Sequence, residues 1–196
     1  MLFPPRYHGT DYIHPQVFII DDAASMREDW DELCRLFEIL GYLVKKSDED
    51  GIDLYFTMTE KKHNNKNVSA LVDIAKKRKN NLQGFSNING RLDYILGQYC
   101  RCLQIEFDMK RGRIRDAPGN DIKPLSVYVF TNALWGKTSN PKPAIEKVVD
   151  RLTEFEYPAS QVGIQFISFG HDSKALKRLK HYDSGLDLKM YASKIM

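Results

Sequence analysis

The segment VFIIDDAASMRED (residues 17–29) carries four apolar residues directly into a pair of aspartates. These apolar residues are β-branched or aromatic, so they predict a short strand that is covered on both faces of a sheet. Asp21 and Asp22 then stand at the carboxyl end of that strand, and Ser25 is suited to cap the helix that follows. Paired acids in this position bind a cation or receive a phosphoryl group, and the rest of the chain must decide between the two.

Outward from this segment, the apolar spacing alternates between that of strands and that of helices. After Ser25 the apolar residues recur at i, i+3, i+4 and i+7, which predicts a helix with one buried stripe. Further strands are predicted at 52–58, 125–131 and 162–170, a loop at 60–67, and further helices at 68–79, from Ser86 or Asn89, at 145–155 and at 173–186. Strands that alternate with helices predict an α/β domain, with a mostly parallel central sheet and helices on both faces.

The polar residues after these strands are expected to share one edge of the sheet. In an open parallel sheet the carboxyl ends of the strands line the binding crevice. The sequence therefore predicts that Asp21, Asp22, Thr131, Asn132 and residues 170–172 gather on one rim. His171 and Asp172 fit a turn with a helix cap better than an acid–base pair.

Composition narrows the classes of protein that are compatible with the chain. Its 196 residues are 42% hydrophobic, which suits one domain with a full core, and a formal charge of +3 is too small to indicate nucleic acid binding. The three cysteines lack zinc-type spacing and suit buried or free thiols. No apolar run has the length of a membrane span or of a signal peptide, so we expect a cytoplasmic protein that binds no membrane. Residues 1–15 are predicted as an extended arm, 16–188 as the domain and 189–196 as a tail.

One resemblance favours phosphoryl transfer. Residues 19–44, IIDDAASMREDWDELCRLFEILGYLV, resemble the opening of a two-component receiver. That family holds Mg²⁺ with its acidic pair and is phosphorylated on an aspartate that ends a later strand. Here the corresponding strand ends in LYFTMTE (residues 54–60), which has no aspartate. A receiver is therefore the minor alternative.

A second resemblance covers more of the chain. The blocks DGIDLYFT, GFSNINGRLDYILGQY, VYVFTNALW and GIQFISFGHDSKALKRLKHYD occur in the order found in von Willebrand factor A domains. From about residue 16 to residue 186 the chain resembles that family, and especially its intracellular fungal members. The resemblance implies a Rossmann-like fold and a metal-ion-dependent adhesion site, in which three loops of the rim hold Mg²⁺.

Carried over residue by residue, that metal site is altered. Asp21 stands at the first aspartate position, Ser25 at the second serine and Ser86 at the threonine. Ala23 replaces the first serine and Asn132 replaces the closing aspartate, so one hydroxyl and one charge are missing. Mg²⁺ requires near-octahedral oxygen coordination. The expected cofactor is therefore none, or weakly bound Mg²⁺.

The resemblance implies a non-enzymatic module that binds a protein partner through the rim. Asp22 and Trp135 are the residues expected to contact the partner, and the family's site leaves one position open for an acidic side chain of that partner. The alternative for Trp135 is that it folds back and plugs its own loop. Within the same fold, a working Mg²⁺-dependent adhesion domain remains open. The basic residues at 76–79 are expected to form a solvated helix end, and the sequence leaves the oligomeric state open.

Overall fold

The computed structural model describes residues 15–46, 51–114, 122–136 and 139–184. Most of the predicted arm and all of the predicted tail lie outside these ranges. The strands are β1 (Gln16–Ile20), β2 (Ile52–Phe56), β3 (His63–Asn65), β4 (Leu125–Thr131) and β5 (Val162–Ser168). The helices are α1 (Trp30–Lys45), α2 (Val68–Arg78), α3 (Ile88–Lys110), α4 (Lys142–Glu154) and α5 (Ser173–Ser184).

The five strands form one sheet in the order β3-β2-β1-β4-β5. Strands β2, β1, β4 and β5 run parallel to one another, whereas β3 pairs antiparallel with β2 at the edge. This order reverses between β1 and β4, as in Rossmann-like folds, and the crevice for a ligand lies at that reversal. The predicted α/β class with a mostly parallel sheet is confirmed.

Strand β1 explains why the sheet is covered on both faces. Val17 and Ile19 pack into one hydrophobic cluster with α3, α4 and α5. Phe18 and Ile20 point to the opposite face and pack against α1 and α2. Alternate side chains of a strand point to opposite faces, so an uninterrupted apolar run must be buried on both. The central position of β1 follows directly from this composition.

Two local predictions are wrong. Residues 60–67, predicted as a loop, contain β3, in which His63 pairs with Leu54 and Asn65 with Ile52. Three polar residues carry no apolar alternation, so only the pairing with β2 identifies this strand. Ser25 does not cap a helix: it lies in a 3₁₀ turn (Ala24–Met26), and α1 begins at Trp30.

Two further sequence expectations concern thiols and membranes. All three cysteines are free; Cys34 is buried, and Cys100 and Cys102 are half-buried. The prediction of buried or free thiols is confirmed. Across the described ranges, no helix combines the length and the apolar character that crossing a membrane requires.

Candidate functional site

The rim lies where β1, β4 and β5 end side by side. The Asp21 amide donates a hydrogen bond to the Phe130 carbonyl at 2.9 Å, and the Phe169 amide donates to the Thr131 carbonyl at 3.0 Å. These backbone bonds extend the parallel pairing to the residues just after each strand. They bring the loop after β1 against the loop after β4, at the point where the strand order reverses.

Asp21 lies at the base of this rim and is fully buried. Its Oδ2 accepts a hydrogen bond from the Thr131 hydroxyl at 2.6 Å, and its Oδ1 accepts one from the Ala23 amide at 3.1 Å. Burial raises the pKa of Asp21, and the hydrogen bonds from Thr131 and Ala23 oppose that rise. Both carboxyl oxygens are thus occupied by groups of the protein itself.

Ser86 comes next to Asp21 from the loop that precedes α3. Its side chain is buried, and the proximity of its hydroxyl lowers the pKa of Asp21. The contact between Ser86 and Asp21 nevertheless does not have the geometry of a hydrogen bond. Ser86 Oγ therefore has no hydrogen-bond partner among the described residues. The Ala24 amide donates to the Gly84 carbonyl at 3.3 Å, which ties this loop to the one after β1. An orphaned buried hydroxyl beside a buried carboxyl group is the feature most suggestive of a ligand.

Asn132 and Ser25 hold the other side of the rim together. The Ser25 hydroxyl donates to Asn132 Oδ1 at 3.2 Å, and Asn132 Nδ2 donates back to the Ser25 carbonyl at 2.9 Å. The Leu134 amide also donates to Asn132 Oδ1, at 3.1 Å. Ala133, between them, has a φ of 55°, a left-handed conformation that is costly for a residue other than glycine. The Asn132 amide therefore acts as a clamp between two loops.

Asp22, predicted to contact a partner, is instead buried in an ion pair. Nε and Nη2 of Arg78 both lie 2.6 Å from Asp22 Oδ2. Asp22 Oδ1 accepts hydrogen bonds from the Met58 amide at 2.8 Å and from the Thr57 hydroxyl at 3.1 Å. The expectation of a solvated helix end also fails at Arg78, because this residue neutralises a buried carboxylate. The Asp22 carboxylate is therefore not available to a partner in this conformation.

Trp135 also turns inward, so the alternative that it plugs its own loop is the correct one. Its indole Nε1 donates to the Thr131 hydroxyl at 2.8 Å, and its ring lies 6.1 Å from each of Phe166 and Tyr182. The Arg178 guanidinium sits 5.6 Å from the ring centroid. The Thr131 hydroxyl thus links Trp135 to Asp21, a role that the sequence did not reveal.

Two exposed apolar residues flank the site, and both were missed from the sequence. Phe85, between Gly84 and Ser86, is 74% exposed, and Leu134, two residues after Asn132, is 41% exposed. A Cβ atom placed on Gly136 would lie 3.8 Å from Phe85 Cβ, so the loops that carry Phe85 and Leu134 touch. For Phe85 the signal was a large apolar side chain between Gly84 and Ser86, whereas Leu134, between Ala133 and Trp135, offered no such signal.

Asp172, at the part of the rim that follows β5, caps helix α5. Asp172 Oδ1 accepts hydrogen bonds from the amides of Lys174 and Ala175, which confirms its predicted role as a helix cap. Within the described ranges, no three histidine, cysteine, aspartate or glutamate side chains cluster as metal ligands. The rim offers a different donor set, in which the Asp21 carboxylate lies near the Ser86 hydroxyl and the Ser25 hydroxyl lies beside the Asn132 amide. No protein-family model matches the sequence, and no curated protein matches it either.

Proposed function

We propose that this chain is a non-enzymatic protein-binding module of the von Willebrand factor A class, with a weakened or lost Mg²⁺ site. The observation that carries the proposal is the state of Asp21, the one carboxylate left in the donor set. Both of its oxygens accept hydrogen bonds from the protein, and Ala23 and Asn132 bring no charge to the site. With this donor set, binding energy must come mainly from direct contact with the partner.

The partner surface that we propose is centred on Phe85 and Leu134. Both are exposed apolar side chains on loops positioned by the rigid sheet, and such loops commonly carry binding residues. Aromatic side chains are enriched in protein interfaces. Ser25 is also exposed and lies beside Asn132, so a polar rim borders the apolar pair. This surface replaces the contact residues expected from the sequence, Asp22 and Trp135.

The Mg²⁺ that the resemblance implies fits these residues only in part. The orphaned Ser86 hydroxyl and the Asp21 carboxylate favour a cation, and when bound the cation would offer an open coordination position to an acidic side chain of the partner. Against this, burial raises the pKa of Asp21 and so favours its neutral form, which is a poor ligand. The loss of a ligand lowers metal affinity by at least about 10- to 100-fold, judged from losses of supporting residues alone.

Isothermal titration with Mg²⁺ and Mn²⁺ tests the metal part of the proposal. We expect no saturable heat from the wild-type chain at micromolar affinity. The variant Ala23→Ser/Asn132→Asp restores the missing hydroxyl and charge, and we expect it to bind at least about 10-fold more tightly than the wild type. Saturable micromolar binding by the wild type, abolished by Asp21→Ala, would instead establish a working metal-dependent adhesion domain.

Quantitative affinity capture tests the partner part. Phe85→Ser and Leu134→Ser should each reduce the amount of a specific captured protein by at least about fivefold, since a central apolar contact contributes more than about 1 kcal/mol. Tyr42→Ser is the matched control, because Tyr42 is 43% exposed on α1, away from the rim. A captured protein that depends equally on all three residues, or on none, would remove the rim from the proposal.

A further inference from the structure

Helix α1 carries a second apolar stripe that the fold does not bury. Glu32, Leu36, Ile39, Leu43 and Lys46 follow one another at alternating spacings of four and three residues. Ile39 is 57% exposed, Leu43 is 55% exposed, and Leu36 is half-buried against the hydrophobic cluster under α1 and α2. An apolar repeat with this spacing is the seam of a helix that packs along another helix. We call these five residues the α1 seam.

The neighbour of α1 in the fold approaches from a different side. Gly41 faces α2, since a Cβ atom placed on it would lie 2.8 Å from Val68 Cγ1. The Tyr42 hydroxyl lies 2.7 Å from the Ser69 hydroxyl, also on α2. The seam therefore lies outside the α1–α2 contact, and it includes none of the residues proposed for the rim surface. Whatever occupies it is independent of the proposed rim function.

The charges at the two ends of the seam identify its occupant. Glu32 begins the seam and Lys46 ends it, with only apolar residues at the three seam positions between them. In a parallel pair of such helices, like charges would meet at both ends. In an antiparallel pair of identical helices, Glu32 meets Lys46 of the other copy at each end, Leu36 meets Leu43, and Ile39 meets itself. The seam is complementary to its own reverse.

We propose that the α1 seam is the interface of a two-fold symmetric dimer, in which the α1 helices of two copies of this chain pack antiparallel. Such an isologous interface uses the same patch on both subunits, as most soluble dimers do. It buries the exposed portions of Ile39 and Leu43 from each copy.

Sedimentation velocity of the full chain over a concentration series tests this assignment. The wild type should dimerise reversibly. Ile39→Asp should raise the dimer dissociation constant by about 100-fold, because it places two carboxylates at the centre of a buried apolar layer. The control is Leu176→Asp, since Leu176 is 41% exposed on α5 and lies outside the seam. A wild type that stays monomeric up to its solubility limit overturns the dimer. That result is also the one expected if another segment of the chain or another protein covers the seam.

Charge reversal distinguishes this antiparallel pairing from any other contact. Glu32→Lys and Lys46→Glu should each weaken the dimer by roughly 5-fold, since each places a like pair at both ends of the seam. The double variant Glu32→Lys/Lys46→Glu should recover wild-type affinity, and an equimolar mixture of the two single variants should form mixed dimers. Lys45→Glu, on the adjacent residue outside the seam, is the control. A dimer insensitive to Ile39→Asp, or one weakened further by the double reversal, contradicts the proposal.

Discussion

The buried carboxyl group of Asp21 links the pH of the solution to the stability of the rim. Burial raises its pKa in the folded chain, so the folded state holds its proton to a higher pH than the unfolded state does. The neutral group stabilises the fold at a pH below the unfolded pKa. That contribution is lost as the pH rises through the folded pKa, because the ionised group must then be kept away from water.

Asp21→Asn isolates this effect, since the amide is similar in shape and does not titrate. We expect the free energy of unfolding of the wild type to fall, relative to that of Asp21→Asn, as the pH rises from acidic to neutral values. Urea titrations of both chains across that range measure the difference. A difference that is constant with pH would show that folding leaves the pKa of Asp21 unchanged, and a wild type that gains stability relative to Asp21→Asn as the pH rises would show that folding lowers it.

The buried ion pair of Asp22 and Arg78 gives a second prediction for a single side chain. Arg78→Met leaves the fully buried Asp22 carboxylate without its cation, and such a loss costs about 3 kcal/mol of unfolding free energy. Lys79→Met removes the adjacent pair with Asp31, which is exposed, and should cost under about 0.5 kcal/mol. Chemical denaturation measures both values. Equal losses for the two variants would mean that the contact with Arg78 does not stabilise the buried Asp22 carboxylate.

The residues of the rim were predictable from the sequence, but the directions of their side chains were not. Asp21, Ser25, Ser86 and Asn132 gather because each follows a strand or precedes a helix at the same edge of the sheet. Trp135 turns inward because its indole finds the Thr131 hydroxyl, which also binds Asp21 from 110 residues away in sequence. Asp22 turns inward because Arg78 reaches it from α2. Partners so far apart in the chain leave no local pattern.

At the scale of elements, the periodicity of apolar residues predicted the strands and helices that bury side chains in the core. Strands β1, β4 and β5 and all five helices have apolar stripes or runs, and each lies close to its predicted position. Strand β3 has no such pattern, and it exists because its backbone pairs with the edge of β2. Helix α1 begins later than predicted, after the 3₁₀ turn at Ala24–Met26, because the Ser25 side chain bonds to Asn132 on another loop instead of to the helix.

Two helical glycines give opposite predictions for the same substitution. Gly41→Ala on α1 would place its Cβ 2.8 Å from Val68 Cγ1 on α2, and overpacking of this kind costs more than the gain in helix propensity. We expect a net loss of about 1 kcal/mol in unfolding free energy, recovered in part by Val68→Ala. Gly97→Ala on α3 meets nothing within 4 Å and should instead stabilise the chain by roughly 0.5–1 kcal/mol. Thermal unfolding compares the three, and a stabilised Gly41→Ala would mean that α1 and α2 can move apart freely.

At the scale of the whole molecule, one sheet separates two hydrophobic clusters. Trp30 belongs to the cluster under α1 and α2, where its indole Nε1 donates to the Ala75 carbonyl at 3.0 Å. Trp135 belongs to the cluster under α3, α4 and α5. These are the two tryptophans of the chain, so each layer has its own fluorescent reporter. Strand β1 contributes alternate side chains to both clusters. One layer can therefore lose its contacts before the other only if the sheet stays folded without that layer.

We therefore expect the two layers to unfold together. In Trp30→Phe, the fluorescence of Trp135 reports the layer of α3, α4 and α5; in Trp135→Phe, the fluorescence of Trp30 reports the layer of α1 and α2. In each variant the urea midpoint from fluorescence should coincide with the midpoint from far-ultraviolet circular dichroism, as an all-or-none transition requires. Each variant is compared only with itself, so its own loss of stability does not affect the test. A Trp135 transition that precedes the loss of secondary structure would mean that the layer carrying Trp135 opens while the rest of the sheet stays folded, and the rim would then sit on a mobile support.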